Sequence, residues 1–198
     1  MNNSPQEYIA FANKLADAAG ITSMEYFRTS LSIDSKSDES PVTIADQNTE
    51  LKIRSMIEKE YPNHGILGEE FESVNPDAEF IWVIDPIDGT RSYIAGHKDF
   101  GNLISLTQNK KPIIGIINCP AHDERWVGVI NQKSTVNQKI VKTSNVTEIE
   151  DAYIFMSGLY FDEPQLRNAV DKIKNKVRYF RYGGDCYMYG MVASGLID

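Results

Sequence analysis

Two aspartates three residues apart are the most chemically suggestive feature of the sequence. In Trp82-Val83-Ile84-Asp85-Pro86-Ile87-Asp88-Gly89-Thr90 an apolar run ends in Asp85, a proline redirects the chain, and Asp88 follows before a glycine and a threonine. This pattern sets two carboxylates at the mouth of a strand, where connecting loops build sites. Gly89 and Thr90 can offer backbone N–H groups to an anion, especially if a helix starts there. Hard anionic ligands beside an anion cradle are what magnesium-assisted phosphoryl transfer needs.

Other acidic positions bear on the same chemistry. Gly68-Glu69-Glu70 ends another short apolar run. Alone, two adjacent glutamates read as a solvated turn; beside Asp85 and Asp88, the ligand reading is the better one. Asp46 follows Pro41-Val42-Thr43-Ile44-Ala45; by itself it reads as a helix N-cap, and it could also orient an attacking water. Asp185, in Gly183-Gly184-Asp185-Cys186, reads by itself as a helix N-cap. Cys119 and Cys186 lack CxxC spacing and read as reduced thiols, with helix packing the expected role of Cys186. His64, His97 and His122 are scattered without ligand spacing and read as loop residues.

The elements that must position these groups follow from periodicity. Ser4-Pro5 starts a helix that carries Tyr8, Ile9, Ala12, Leu15, Ala16 and Ala19, with Gly20 as its stop or bend. Leu31–Ser40 is polar and reads as a mobile loop. A second helix is expected over Asp46–Tyr61, its apolar side marked by Leu51, Ile53, Met56 and Ile57, with Pro62 closing it. Strands are expected at Gly65–Gly68, Phe80–Ile84, Gly101–Gln108, Pro112–Asn118 and Arg125–Ile130. Ala152–Met156 and Val177–Tyr182 read as strands flanking a helix from about Glu163 to Lys174, and Cys186–Leu196 reads as a final helix on a sheet. The sum is a layered α/β chain, with an N-terminal α+β half over residues 1–140 and a C-terminal α/β half over residues 141–198.

Composition narrows the function classes. A formal net charge of -8 disfavours a nucleic-acid backbone as partner. No basic segment leads into an apolar run at the N-terminus, and no apolar stretch is long enough for a transmembrane helix, so the expected setting is soluble and cytoplasmic.

Asp85-Pro86-Ile87-Asp88-Gly89-Thr90, preceded by Gly68-Glu69-Glu70 and Thr43-Ile44-Ala45-Asp46, resembles the inositol monophosphatase family. That family also includes fructose-1,6-bisphosphatases and phosphatases of 3′-phosphoadenosine nucleotides. The resemblance extends over essentially the whole chain. It implies a sugar-phosphatase fold with an antiparallel N-terminal sheet, a homodimer, and two or three Mg2+ ions per site. It implies that Glu69, Asp85, the Ile87 carbonyl and Asp88 hold metal, and that Asp88, Gly89 and Thr90 meet the substrate. It further implies that Thr90 pairs with Asp46 to activate water, with Glu70 as a supporting or third-metal residue.

Arg91 to Ala95, Phe100 to Leu103, Asp123 to Gly128 and Gly183 to Tyr187 are more similar to the histidinol-phosphatase branch, where the aspartate matching Asp185 faces the substrate. Histidinol phosphate and inositol monophosphate are the expected substrates, with a nucleotide as runner-up. Family members also carry a Trp-Asp pair after the Gly-Gly-Asp-Cys helix, whereas this sequence stops at Asp198. The expectation is therefore a C-terminally truncated chain that keeps the fold but lacks one metal ligand. Its alternative function would be binding metal or phosphate without efficient turnover.

Overall fold

The first helix is set by its own cap. Ser4 Oγ accepts from the Glu7 N–H, and the Glu7 carboxylate accepts from the Ser4 N–H at 2.7 Å, with Pro5 pre-set for the first turn. A computed structural model describes residues 4–30, 33–35, 41–158 and 162–198 of the chain. In it α1 spans Pro5–Tyr26 and buries Tyr8, Phe11, Ala12, Leu15, Ala16 and Ala19. The helix does not stop at Gly20. That position faces the sheet, and a Cβ there would lie 3.0 Å from Asn118 Nδ2, so glycine permits close packing inside a continuing helix.

Within the segment read as a loop, Ile33–Ser35 is strand β1, paired antiparallel with β2, Pro41–Thr43; the rest of Leu31–Ser40 lies outside the described residues. Helix α2 runs Ile44–Glu60. It starts earlier than expected because Thr43, not Asp46, is the N-cap. The Thr43 hydroxyl accepts from Ala45 N, while Asp46, three residues in, accepts from Thr43 N at 2.8 Å.

Next come β3 (Gly65–Gly68), β4 (Phe80–Asp88), α3 (Thr90–Ile94), β5 (Gly101–Gln108), β6 (Lys111–Cys119), β7 (Glu124–Val129), β8 (Thr135–Val136) and β9 (Lys139–Ile140). Among the described residues β3 to β9 form one seven-stranded sheet in sequential order, parallel at β3–β4 and antiparallel elsewhere. The β5–β6 hairpin turns on Asn109 and Lys110, both at positive φ (49° and 64°), the combination that matches strand twist in a two-residue turn.

Alternation along the strands separates two layers. Trp82, Ile84, Ile104, Leu106, Ile114 and Ile116 join α1 and α2 in the main core. Leu103, Ile117 and Trp126 belong to a second cluster with Cys119 and Cys186. Cys186 comes from α5, Asp185–Ala193. Both cysteines are free and buried, which agrees with the packing role expected of Cys186.

The remaining unit is β10 (Tyr153–Met156), α4 (Pro164–Lys174) and β11 (Tyr179–Tyr182), with the two strands parallel. The end of the chain lies beside it: Asp198 N donates to the Tyr153 carbonyl, and Asp198 Oδ2 accepts from Tyr153 N. No helix among the described residues is long and apolar enough to cross a membrane.

Candidate active site

The site forms where β4 leaves regular pairing. Asp85 still pairs with Leu103, but the register shifts before Asp88 pairs with Gly101. Pro86 therefore does not end the strand, contrary to the sequence reading. It has no N–H to donate, and its carbonyl is taken at 2.7 Å by the buried side-chain amide of Asn102 on β5. The bulge places Asp85, Ile87 and Asp88 within one short bend. Gly89 then turns into α3 at φ 82°, a conformation that glycine adopts without strain.

Among the carboxylates of the cluster, Asp85 is the most strongly displaced. One of its carboxylate oxygens, Oδ1, is buried without a hydrogen-bond partner. Burial first, then the charges of Glu69 and Asp88, push its carboxyl up to about 9. Asp88 is also pushed up, chiefly by burial and with Asp185 and Glu69 adding repulsion, although its Oδ2 accepts from Cys186 N at 2.7 Å. The unpartnered Asp85 oxygen, among carboxylates that raise one another, fits a hard divalent cation. Among the described residues no three His, Cys, Asp or Glu side chains already converge as a ligand set.

Asp46 joins the cluster from α2. It is buried; its Oδ2 accepts from the Thr43 hydroxyl at 2.7 Å, and its Oδ1 accepts from the Thr90 hydroxyl at 3.3 Å. Burial pushes its carboxyl up against the pull of those bonds. The Thr90 hydroxyl is also 3.1 Å from the Ile87 carbonyl, so Thr90 stands between the two. Asp46 is thus both a partner in the helix cap and a partner of Thr90; it is not the cap itself.

Asp185 also differs from the cap reading. Gly184 caps α5, and Asp185 makes no capping bond. Gly183, Gly184 and Asp185 all have positive φ (102°, 104° and 42°), and this run turns the Asp185 carboxylate onto Gly89 and Ser92. Ser92 Oγ donates to Asp185 Oδ2 at 2.5 Å, and a Cβ at Gly89 would meet that oxygen at 2.9 Å.

Glu69 and Glu70 follow β3. Their N–H groups donate to one oxygen of the fully buried Glu50, at 3.0 and 2.8 Å. Glu69, Asp85, Asp88, Asp46, Thr90, Gly89 and Asp185 are therefore brought together from four separate stretches of sequence. The sequence reading missed Glu50, Arg54, Ser92 and Asn102. Helical spacing from Asp46 to Glu50 to Arg54 was the available signal for the first two. The histidines take no part: His122 bonds Asp99 and stacks on Tyr187, and His64 stacks on Tyr61 and Phe80 while accepting from Trp82 Nε1, more embedded than a plain loop residue.

A model of the inositol monophosphatase family matches the chain over residues 4–198. The chain belongs to the inositol monophosphatase family. Relatives within it include a protein named "Bifunctional phosphatase IMPL2, chloroplastic" from Arabidopsis thaliana, 38% identical over 207 residues, with 100% of this chain and 60% of that protein covered. A histidinol-phosphatase of Chlorobaculum parvum is 36% identical over 94% of this chain and 73% of its own length. Among solved structures, an inositol monophosphatase from Zymomonas mobilis superposes with a TM-score of 0.87 at 40% identity, covering 100% of this chain and 76% of that one. The chain thus spans 60% to 76% of the length of these family members.

Proposed function

We propose that this chain carries the active site of a magnesium-dependent phosphomonoesterase that hydrolyses a small phosphate ester by attack of water. The observation that carries the reading is the buried, unpartnered Asp85 Oδ1 inside a cluster of carboxylates, which a divalent cation would satisfy. Glu69, Asp85, Asp88 and the Ile87 carbonyl are the residues that would hold the metal, with Glu70 beside them. When bound, the cation lowers the pKa of water and offsets charge on the departing oxygen.

The chain's own groups do the rest. Thr90 Oγ donates to Asp46 Oδ1, which leaves its lone pairs to accept from the attacking water. As the water oxygen bonds to phosphorus and the ester P–O bond breaks, the proton passes through Thr90 Oγ to Asp46 Oδ1. Burial of Asp46 favours its protonated form and so suits it to receive that proton. The backbone N–H groups of Gly89 and Thr90 hold the phosphoryl oxygens.

Asp185 favours an ester with a cationic group. A carboxylate packed on Gly89, beside the phosphate position, would repel a purely anionic substrate and attract an ammonium. Histidinol phosphate has that chemistry, and relatives named histidinol-phosphatase support the choice over inositol monophosphate. A homodimer and two or three metal ions belong to the same proposal through the family. The alternative reading is that the same cluster binds metal or phosphate without efficient turnover.

The test is phosphate release from histidinol phosphate and inositol 1-phosphate side by side, with and without Mg2+. Mg2+-dependent release that is faster from histidinol phosphate is expected. Equal rates would remove the role given to Asp185, and no release from a folded chain that still binds Mg2+ would favour the second reading.

A further inference from the structure

A fully buried glutamate outside the cluster grips the backbone from which two of the cluster's acids project. Glu50 has no solvent exposure and Arg54 is 6% exposed. Glu50 Oε1 accepts from Arg54 Nε at 2.7 Å, while Oε2 accepts from both Glu69 N (3.0 Å) and Glu70 N (2.8 Å). Arg54 reaches past it, donating from Nη2 to the Phe71 carbonyl at 2.9 Å, with its guanidinium 5.7 Å from the Phe71 ring. One ion pair thus holds residues 69 to 71 by three backbone groups. Gly68 makes the approach possible, because a Cβ there would lie 1.9 Å from Glu50 Oε1.

We propose that Glu50, backed by Arg54, is a positioning residue that fixes the Glu69–Glu70 turn for cation binding. The proposal rests on the reading of the carboxylate cluster as a cation site. Two adjacent N–H groups pointing at one carboxylate set the direction in which the backbone turns. The Glu69 side chain lies against Asp85. The same helix face carries Asp46, one turn earlier, which bonds Thr90. Residues four apart on a helix stack along one face, so α2 acts as a ruler between the Thr90 side of the site and the Glu69 side.

Stability alone is a poor explanation for such a pair. Desolvating two ions offsets much of their attraction, and apolar residues of similar volume often serve a core as well. An ion pair that spends its remaining hydrogen bonds on the backbone of one turn is better suited to fixing geometry.

The test compares the parent chain, Glu50→Gln and Asp85→Asn, each first made metal-free. Mn2+ binding is followed by the loss of free-ion signal in electron paramagnetic resonance, and KM and kcat are measured at saturating metal. Glu50→Gln keeps the shape of the side chain but turns an amide donor toward groups that are already donors. It is expected to weaken Mn2+ binding about tenfold while leaving KM for the ester within about twofold of the parent. Asp85→Asn is expected to lose Mn2+ binding at the same concentrations. If Asp85→Asn loses binding while Glu50→Gln binds like the parent, even with a lowered melting temperature, Glu50 is merely structural and the proposal is overturned. If Asp85→Asn binds Mn2+ like the parent, the cation-site reading fails and the proposal falls with it. Should Glu50→Gln not fold, Arg54→Lys decides. It keeps the charge but loses the fork to Phe71, and about threefold weaker binding is expected, whereas unchanged binding overturns the proposal.

Discussion

The bulge of β4 and the β10–α4–β11 unit are built in opposite ways. Around Asp85 to Thr90, buried polar groups from α2, β5 and α5 each hold one part of the bend: Asp46 on Thr90, Asn102 on Pro86, and Cys186 N on Asp88. In the second unit, α4 has no buried residue, and Leu166, Ile173, Tyr153, Tyr179 and Tyr182 are exposed. Positions in the first region are therefore over-determined by contacts, while those in the second are held by backbone pairing and a few ring contacts such as Tyr153 on Tyr179. Substitutions should accordingly be costly in one region and nearly silent in the other.

The largest effect expected is at Asp46. Asp46→Asn keeps an acceptor for Thr43 but removes the site for the proton, and phosphate release should fall by about a hundredfold or more with little change in melting temperature. A rate within a few-fold of the parent would take the proton from Asp46 and leave it a cap partner only. Next is the main core against which β4 packs. Trp82 is fully buried, and Trp82→Ala should cost about 3–5 kcal/mol in denaturant unfolding, whereas Leu166→Ala on exposed α4 should stay within about 0.5 kcal/mol. Similar losses at both would erase the contrast between the two regions.

Asn102→Ala strands the Pro86 carbonyl in a buried setting and should destabilise by about 1–3 kcal/mol, with a loss of metal affinity if the bend loosens. A pH-dependent effect follows from Asp85. Its carboxyl sits at about 9 in the fold, well above the ordinary carboxylate range, so the folded chain keeps a proton that the unfolded chain has released. That contribution is fully present below the unfolded value and is lost as pH rises toward about 9. Melts of the metal-free chain should fall in temperature across this window, and Asp85→Asn should flatten the trend. The same slope in both proteins would assign it to other groups.

Much of this arrangement was legible in the sequence. The spacing of Asp85, Asp88, Gly89 and Thr90, with the acids at Glu69 and Asp46, marked a candidate site, and these residues lie near one another in the fold. Gly65–Gly68 and Gly101–Gln108 form strands at the expected bounds, because apolar runs between turn residues leave few alternatives. What escaped was mostly buried polarity. On α2 the apolar pattern pointed to Leu51, yet Leu51 is 48% exposed while Asp46, Glu50 and Arg54 are inside. Hydrophobic periodicity ranks charges outward, and only a partner from a distant segment, here the turn after β3, turns that ranking around. Gly20 and Pro86 misled for a related reason. Each carries a strong local signal for a break, but Asn102 on β5 takes the Pro86 carbonyl, and the helix runs on through Gly20, packed close against Asn118 of β6.

The measurement that bears most directly on the carboxylate cluster is the initial rate of phosphate release from histidinol phosphate as Mg2+ is raised from zero, in the parent chain and in Asp85→Asn. A rate that climbs and saturates with Mg2+ in the parent, and stays at the no-enzyme level in Asp85→Asn, is the predicted result. Release that ignores Mg2+, or that survives unchanged without the Asp85 carboxylate, would contradict the account.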